Sequence, residues 1–188
     1  MDMRAQILAS AQRLVQQRGF NGFSYADVAE EVGIRKASLH HYFPGKADLG
    51  KALIETYTAQ LESELLRIGE SSMKADRKLR AYAAIYRGSL EAGRMCLGGM
   101  LASDWLTLDA SMLPTLKRFF VRNTEWLTRI LAQGKSQKQL AFGGAAADQA
   151  HVILSTLQGA LLIARATGDH KAFDQTTALL LAGLSRKG

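Results

Sequence analysis

The stretch "GIRKASLHHYFPGKADL", Gly33–Leu49, decides how this chain folds. Lys36 to Tyr42 can coil into a short helix, which Pro44-Gly45 stops, since proline offers no backbone N–H to continue it. Leu39 faces inward, helped by Ile34 just before the helix and by Tyr42 or Phe43 at its end. Lys36, Ala37, Ser38, His40 and His41 are then left on the outside. One apolar prop under a polar, basic outer face describes an element that reads another molecule. A metal at His40-His41 is the sharp alternative. Adjacent helical residues point about 100° apart, so this pair cannot share an ion without further ligands, and no metal is expected.

The preceding residues complete a unit. "RAQILASAQRLVQQR", residues 4–18, spaces Ile7, Leu8, Ala11, Leu14 and Val15 as one helical face, and Gly19 ends it. After "FNGF", Ser24 stands where a helix N-cap belongs, with Asp27 three residues on as in a capping box. Val28, Ala29 and Val32 form the inner face of a second helix closed by Gly33, which must accept a positive φ. Two short helices joined by a tight glycine turn are a helix-turn-helix.

Further along, helices are expected at about 46–67, 73–92, 97–107, 111–133, 147–167 and 170–184, with Pro114 tolerated in a first turn. No strand pattern stands out. The chain of 188 residues is 47% hydrophobic, with two prolines and 7% aromatics, a composition that favours helices. The fold class is therefore all-α, about nine helices. An N-terminal three-helix helix-turn-helix head, residues 1–45, joins a C-terminal bundle, residues 46–188, through the helix 46–67.

"MDMRAQILAS" carries an acid and a base and lacks an apolar block, so no secretory leader is expected. "VILSTLQGALLIA", Val152–Ala164, is too short and polar for a membrane span and reads as a core helix. The single cysteine, Cys96, excludes an internal disulfide and a cysteine-rich zinc site, in keeping with a cytoplasmic protein. The net charge is +7, which favours an anionic partner. Residues 1–60 nevertheless hold seven bases and six acids, so the placement of charge matters more than its total.

"GFNGFSYADVAEEVGIRKASLHHYFPGKADLGKAL" resembles the N-terminal domain of the TetR family of bacterial transcriptional regulators, over roughly residues 4–55. The cues are Gly-Phe before the second helix, the Ala-Glu-Glu-Val-Gly-Ile turn, the aromatic close "HHYF", and Lys-x-x-Leu opening the fourth helix. The resemblance implies a homodimer that sets its third helices in successive major grooves of a palindromic double-stranded DNA operator. It also implies a C-terminal bundle that dimerises and binds a small-molecule effector; a repressor is the leading reading, with activation left open. No cofactor is expected.

The expected DNA contacts are Ser24, Tyr25, Arg35, Lys36, Ala37, Ser38, His40, His41, Tyr42 and Lys46. Lys36 can donate to guanine, Ala37 can meet a thymine methyl, and Ser38 can serve base or phosphate. Lys46 opens a helix whose free N–H groups favour phosphate. His40 departs from the tyrosine usual in the family at this place. Arg35 stands where the family often has a serine cap, and exchanges the cap for a phosphate donor.

Candidate effector contacts are Cys96, Met100, Trp105, Phe119, Trp126, His151 and Gln158, with ordinary core packing as the bland alternative for each. The two tryptophans suit a largely apolar or aromatic ligand. His151 and Gln158, seven apart on one helix, face either a pocket or a dimer seam. Cys96, opening the sixth helix beside Arg94, is either a redox- or electrophile-sensing thiol or a small core residue. The helices 147–167 and 170–184 are apolar on more than one side, which calls for cover by a second subunit. A small all-α enzyme and an architectural DNA binder with no ligand are the remaining classes. No triad order, carboxylate pair or phosphate loop is evident, so no enzyme activity is expected.

Overall fold

A computed structural model describes residues 2–184; the last four residues of the expected C-terminal domain lie outside the described residues. Among the described residues the chain forms nine α-helices. They are α1 (Met3–Arg18), α2 (Tyr25–Val32), α3 (Lys36–Tyr42), α4 (Lys46–Glu70), α5 (Ala75–Glu91), α6 (Leu97–Ser103), α7 (Leu113–Ser136), α8 (Ala146–Thr167) and α9 (His170–Ala182).

Two compact units form. The first takes the chain up to Gln60 together with Arg94–Phe119; the second takes Leu61–Gly93 and the chain from Phe120 on. In the first, α1 packs against α2 and α6, and α2 against α3. Its core holds Ile7, Ala11, Val15, Val28, Leu39, Leu49 and Leu53. In the second, α5 packs on α8 and α9, which pair with each other.

The expected sixth helix, 97–107, stops early at Ser103. The reason is Asp104, whose carboxylate leaves the helix to accept the Phe20 N–H at 2.8 Å. A short 3-10 turn, Trp105–Thr107, follows, and Thr107 accepts a hydrogen bond from the Asn21 side chain at 2.7 Å. Nearby, Gln16 and Met95 exchange two bonds: Gln16 Nε2 donates to the Met95 carbonyl, and the Met95 N–H donates to the Gln16 carbonyl. Polar requirements at the end of α1 thus fix where α6 begins and ends. Helix α7 continues past Gln133 through Gly134, where a Cβ would come within 2.6 Å of Leu140. That glycine is a close-approach site inside a helix and not a terminator.

Helix α8 is divided lengthwise. Ala150, Ile153, Leu154, Leu157, Ala160, Leu161 and Ala164 are buried, while Val152, Leu162 and Ile163 on the opposite side are exposed, as is Leu179 of α9 at 76%. By length and composition alone α8 is apolar enough to cross a membrane, although the shorter Val152–Ala164 stretch was expected to read as buried core. Among the described residues this outer face leaves Val152, Leu162 and Ile163 exposed beside His151 and Ser155.

Candidate nucleic-acid interface

The head is built from its caps. Ser24 and Asp27 form the expected capping box at the start of α2: the Ser24 N–H donates to Asp27 Oδ2 at 2.7 Å, and the Ser24 side chain accepts from the Asp27 N–H. These bonds hold the Asp27 carboxyl below its ordinary range, the Ser24 side-chain bond being the largest cause. Gly33 takes φ 75°, and the Ile34 N–H donates to the Ala29 carbonyl at 2.9 Å. The chain therefore turns within three residues, and α3 starts without a side-chain cap at Arg35.

Leu39 is fully buried under α3, and Phe43 is buried at its end. Val32 and Ile34 are only half-buried, so the little core rests on Val28, Ala29 and Leu39. Lys36, Ala37, Ser38, His40, His41 and Tyr42 are all exposed. Two of the three acids of α2 are engaged by α1: Arg13 pairs with Glu31, and Arg18 lies 3.7 Å from Asp27, while Glu30 is exposed. Helix α3 itself has no acid. The outer face of α3 is therefore basic.

Tyr25 is a correction. Expected as a DNA contact, it is 6% exposed, and its hydroxyl donates to the Phe43 carbonyl at 2.9 Å. Burial pushes its phenol up to about 12, with a smaller contribution from Asp48. Its work is to tie the start of α2 to the end of α3. Phe43 also carries the Arg4 guanidinium over its ring at 5.2 Å. Neither pin was named from the sequence, which shows the aromatic close but not what it accepts.

The Lys46 ammonium sits 4.3 Å from the centre of the Phe23 ring and 4.9 Å from that of Phe20, donating to the Phe23 carbonyl at 2.6 Å. Burial lowers its pKa, and Asp104 and Asp27 partly offset this. A notch of about 300 Å³ lies between Phe23, Ser24, Tyr25, Lys36, His40 and Lys46. The His40 ring lies against Tyr25 at 4.8 Å, and its Nδ1 is 3.2 Å from the Pro44 carbonyl. His41 packs edge-on to Tyr42. Among the described residues no group of three or more His, Cys, Asp or Glu could hold a metal.

The effector candidates divide. Cys96, Met100, Trp105 and Phe119 belong to the first unit; Trp126, His151 and Gln158 belong to the second. Cys96 is 3% exposed, with the Tyr57 hydroxyl 3.8 Å from its sulfur, and Tyr57 also meets Phe119 at 5.6 Å. Phe119 is buried over Gly98, and Met100 is half-buried. Trp105, 45% exposed on its 3-10 turn, is not the interior aromatic that was expected. Trp126 is buried, stacked on Tyr82 at 5.4 Å, with its indole N–H donating to the Leu65 carbonyl at 2.9 Å. His151 is exposed on α8. Gln158 is half-buried, and its Nε2 has no partner among the described residues.

A capped α2, a left-handed glycine turn and an α3 propped on one leucine with its polar side free define a helix-turn-helix regulator of transcription. Residues 7–53 match the family described as bacterial regulatory proteins, tetR family. The chain is 33% identical to a TetR-family transcriptional regulator of known structure from Agrobacterium tumefaciens, covering 97% of both chains with a TM-score of 0.94. It is 30% identical to the HTH-type transcriptional regulator YvaF of Bacillus subtilis, over 74% of this chain and 70% of that protein. It is 29% identical to the HTH-type transcriptional repressor NemR of Escherichia coli, over 87% of this chain and 84% of that protein. The chain belongs to the TetR family of bacterial regulatory proteins.

Proposed function

We propose that this TetR-family regulator is a cytoplasmic homodimeric repressor, not an enzyme. Residues 1–45 read a roughly palindromic DNA operator. Residues 46–188 dimerise and take a small, largely apolar or aromatic effector whose binding favours a head spacing that no longer fits. The observation that carries this reading is the free outer face of α3, held rigid by buried Leu39 and by the Tyr25 bond to Phe43. Lys36, Ala37, Ser38 and His41 enter the major groove, while Ser24, Arg35, His40, Tyr42 and the start of α4 at Lys46 face phosphates. Dimerisation is supported by the uncovered apolar stripe of α8 and by Leu179, since an exposed stripe of this kind needs a partner.

A gel-shift measurement with a duplex selected from a random pool tests the DNA reading. Binding should weaken steeply as salt rises, because counterions are released from each phosphate contacted. Lys36→Ala should lose about 1–3 kcal/mol of specific binding while the dimer persists. Wild-type affinity in Lys36→Ala contradicts the assigned groove face.

A further inference from the structure

We infer that His40 is a proton-gated DNA contact, one that holds a backbone phosphate only as the doubly protonated imidazolium, so that operator binding takes up a proton at each head. The inference rests on the proposed DNA-binding function and adds a dependence that this function does not itself require.

His40 Nδ1 lies 3.2 Å from the Pro44 carbonyl oxygen. A carbonyl oxygen only accepts, so this bond requires a hydrogen on Nδ1. Neutral imidazole carries a single N–H. In the neutral ring Nε2 is therefore a bare lone pair, which repels a phosphate oxygen instead of binding it. A second proton, taken from solvent, turns Nε2 into a charged donor, and charge-assisted bonds of this type are the strong ones. The Tyr25 ring lies 4.8 Å from the imidazole, tilted by 48°.

The surroundings suit an anion. His40 lines the notch with Ser24 and Tyr25 of the α2 start, Lys36 one turn earlier on α3, and Lys46 at the start of α4. None of its lining residues is acidic. The nearby carboxylates are engaged elsewhere: Asp27 accepts from Ser24, and Asp48 accepts from the Gly45 N–H and pairs with Lys51. Tyr25 cannot supply the missing donor, because its hydroxyl already donates to Phe43. The Lys46 ammonium is held by the Phe23 carbonyl. An arriving phosphate thus favours the second proton on His40, and by linkage that proton favours the phosphate.

The test follows binding by fluorescence anisotropy between pH 6 and about pH 8 at fixed ionic strength. The probe is a duplex selected by this protein from a random pool. Wild-type affinity should rise toward acid by about ten-fold for each head across this window. His40→Tyr and His40→Gln, each a neutral donor without a titrating ring, should abolish the slope. His41→Gln, altering the neighbouring imidazole, should bind more weakly yet keep it. Nitrogen-15 NMR of the free dimer at pH 8 should show His40 protonated at Nδ1. A flat wild-type profile, a slope that survives in both His40 variants, or an Nε2–H tautomer overturns the inference while leaving DNA binding intact. Failure to bind any duplex at any pH removes the regulator reading itself.

Discussion

Tyr25 shows how a single side chain sets the reading surface. Its hydroxyl reaches from the first turn of α2 to the carbonyl that ends α3. Replacing it by phenylalanine keeps the ring and removes one bond, leaving the Phe43 carbonyl without this donor. Tyr25→Phe should cost about 1 kcal/mol of stability at neutral pH, read by thermal or urea unfolding. The pH behaviour has a definite sign. A phenol raised from 10.0 to about 12 in the folded head stabilises it fully below pH 10, and that contribution is lost as pH climbs through about 12. Wild-type stability should therefore fall toward that of Tyr25→Phe over this window. Parallel curves for the two proteins from pH 9 upward count against the assignment.

Among the elements, legibility followed locality. The capping box, the αL glycine and the bounds of α3 depend on residues a few positions apart, and all three were readable from the sequence. The end of α6 was not. It is set by Asp104 answering the Phe20 N–H, a bond between residues 84 positions apart with no local pattern. Tyr25 was misread for a related reason: a polar tip on an aromatic ring suits phosphate contact and internal pinning equally, and only burial distinguishes them. Gly98 on α6 is a further long-range constraint, since a Cβ there would lie 2.2 Å from the Phe119 ring. A rigid aromatic cannot yield cheaply, so Gly98→Ala should destabilise the fold by about 1–3 kcal/mol. The variant's unfolding midpoint measures this, and an unchanged midpoint means that α6 and α7 separate more easily than their packing implies.

For the whole molecule, the split faces of α8 carry the argument about assembly. The inner face completes the core of the second unit, and on the outer face Val152, Leu162 and Ile163 stay exposed among the described residues. A charge within that stripe should separate the proposed subunits without unfolding either. Ile163→Glu should sediment as a monomer with wild-type helicity, whereas a persisting dimer moves the seam elsewhere. The proposed function requires two heads to read one duplex together. Hydroxyl-radical footprinting of the selected duplex tests that claim most directly. The account predicts two protected half-sites with centres about 34–36 Å apart, one helical turn, or slightly more, related by a two-fold axis. A single half-site, or protection without two-fold symmetry, would contradict it.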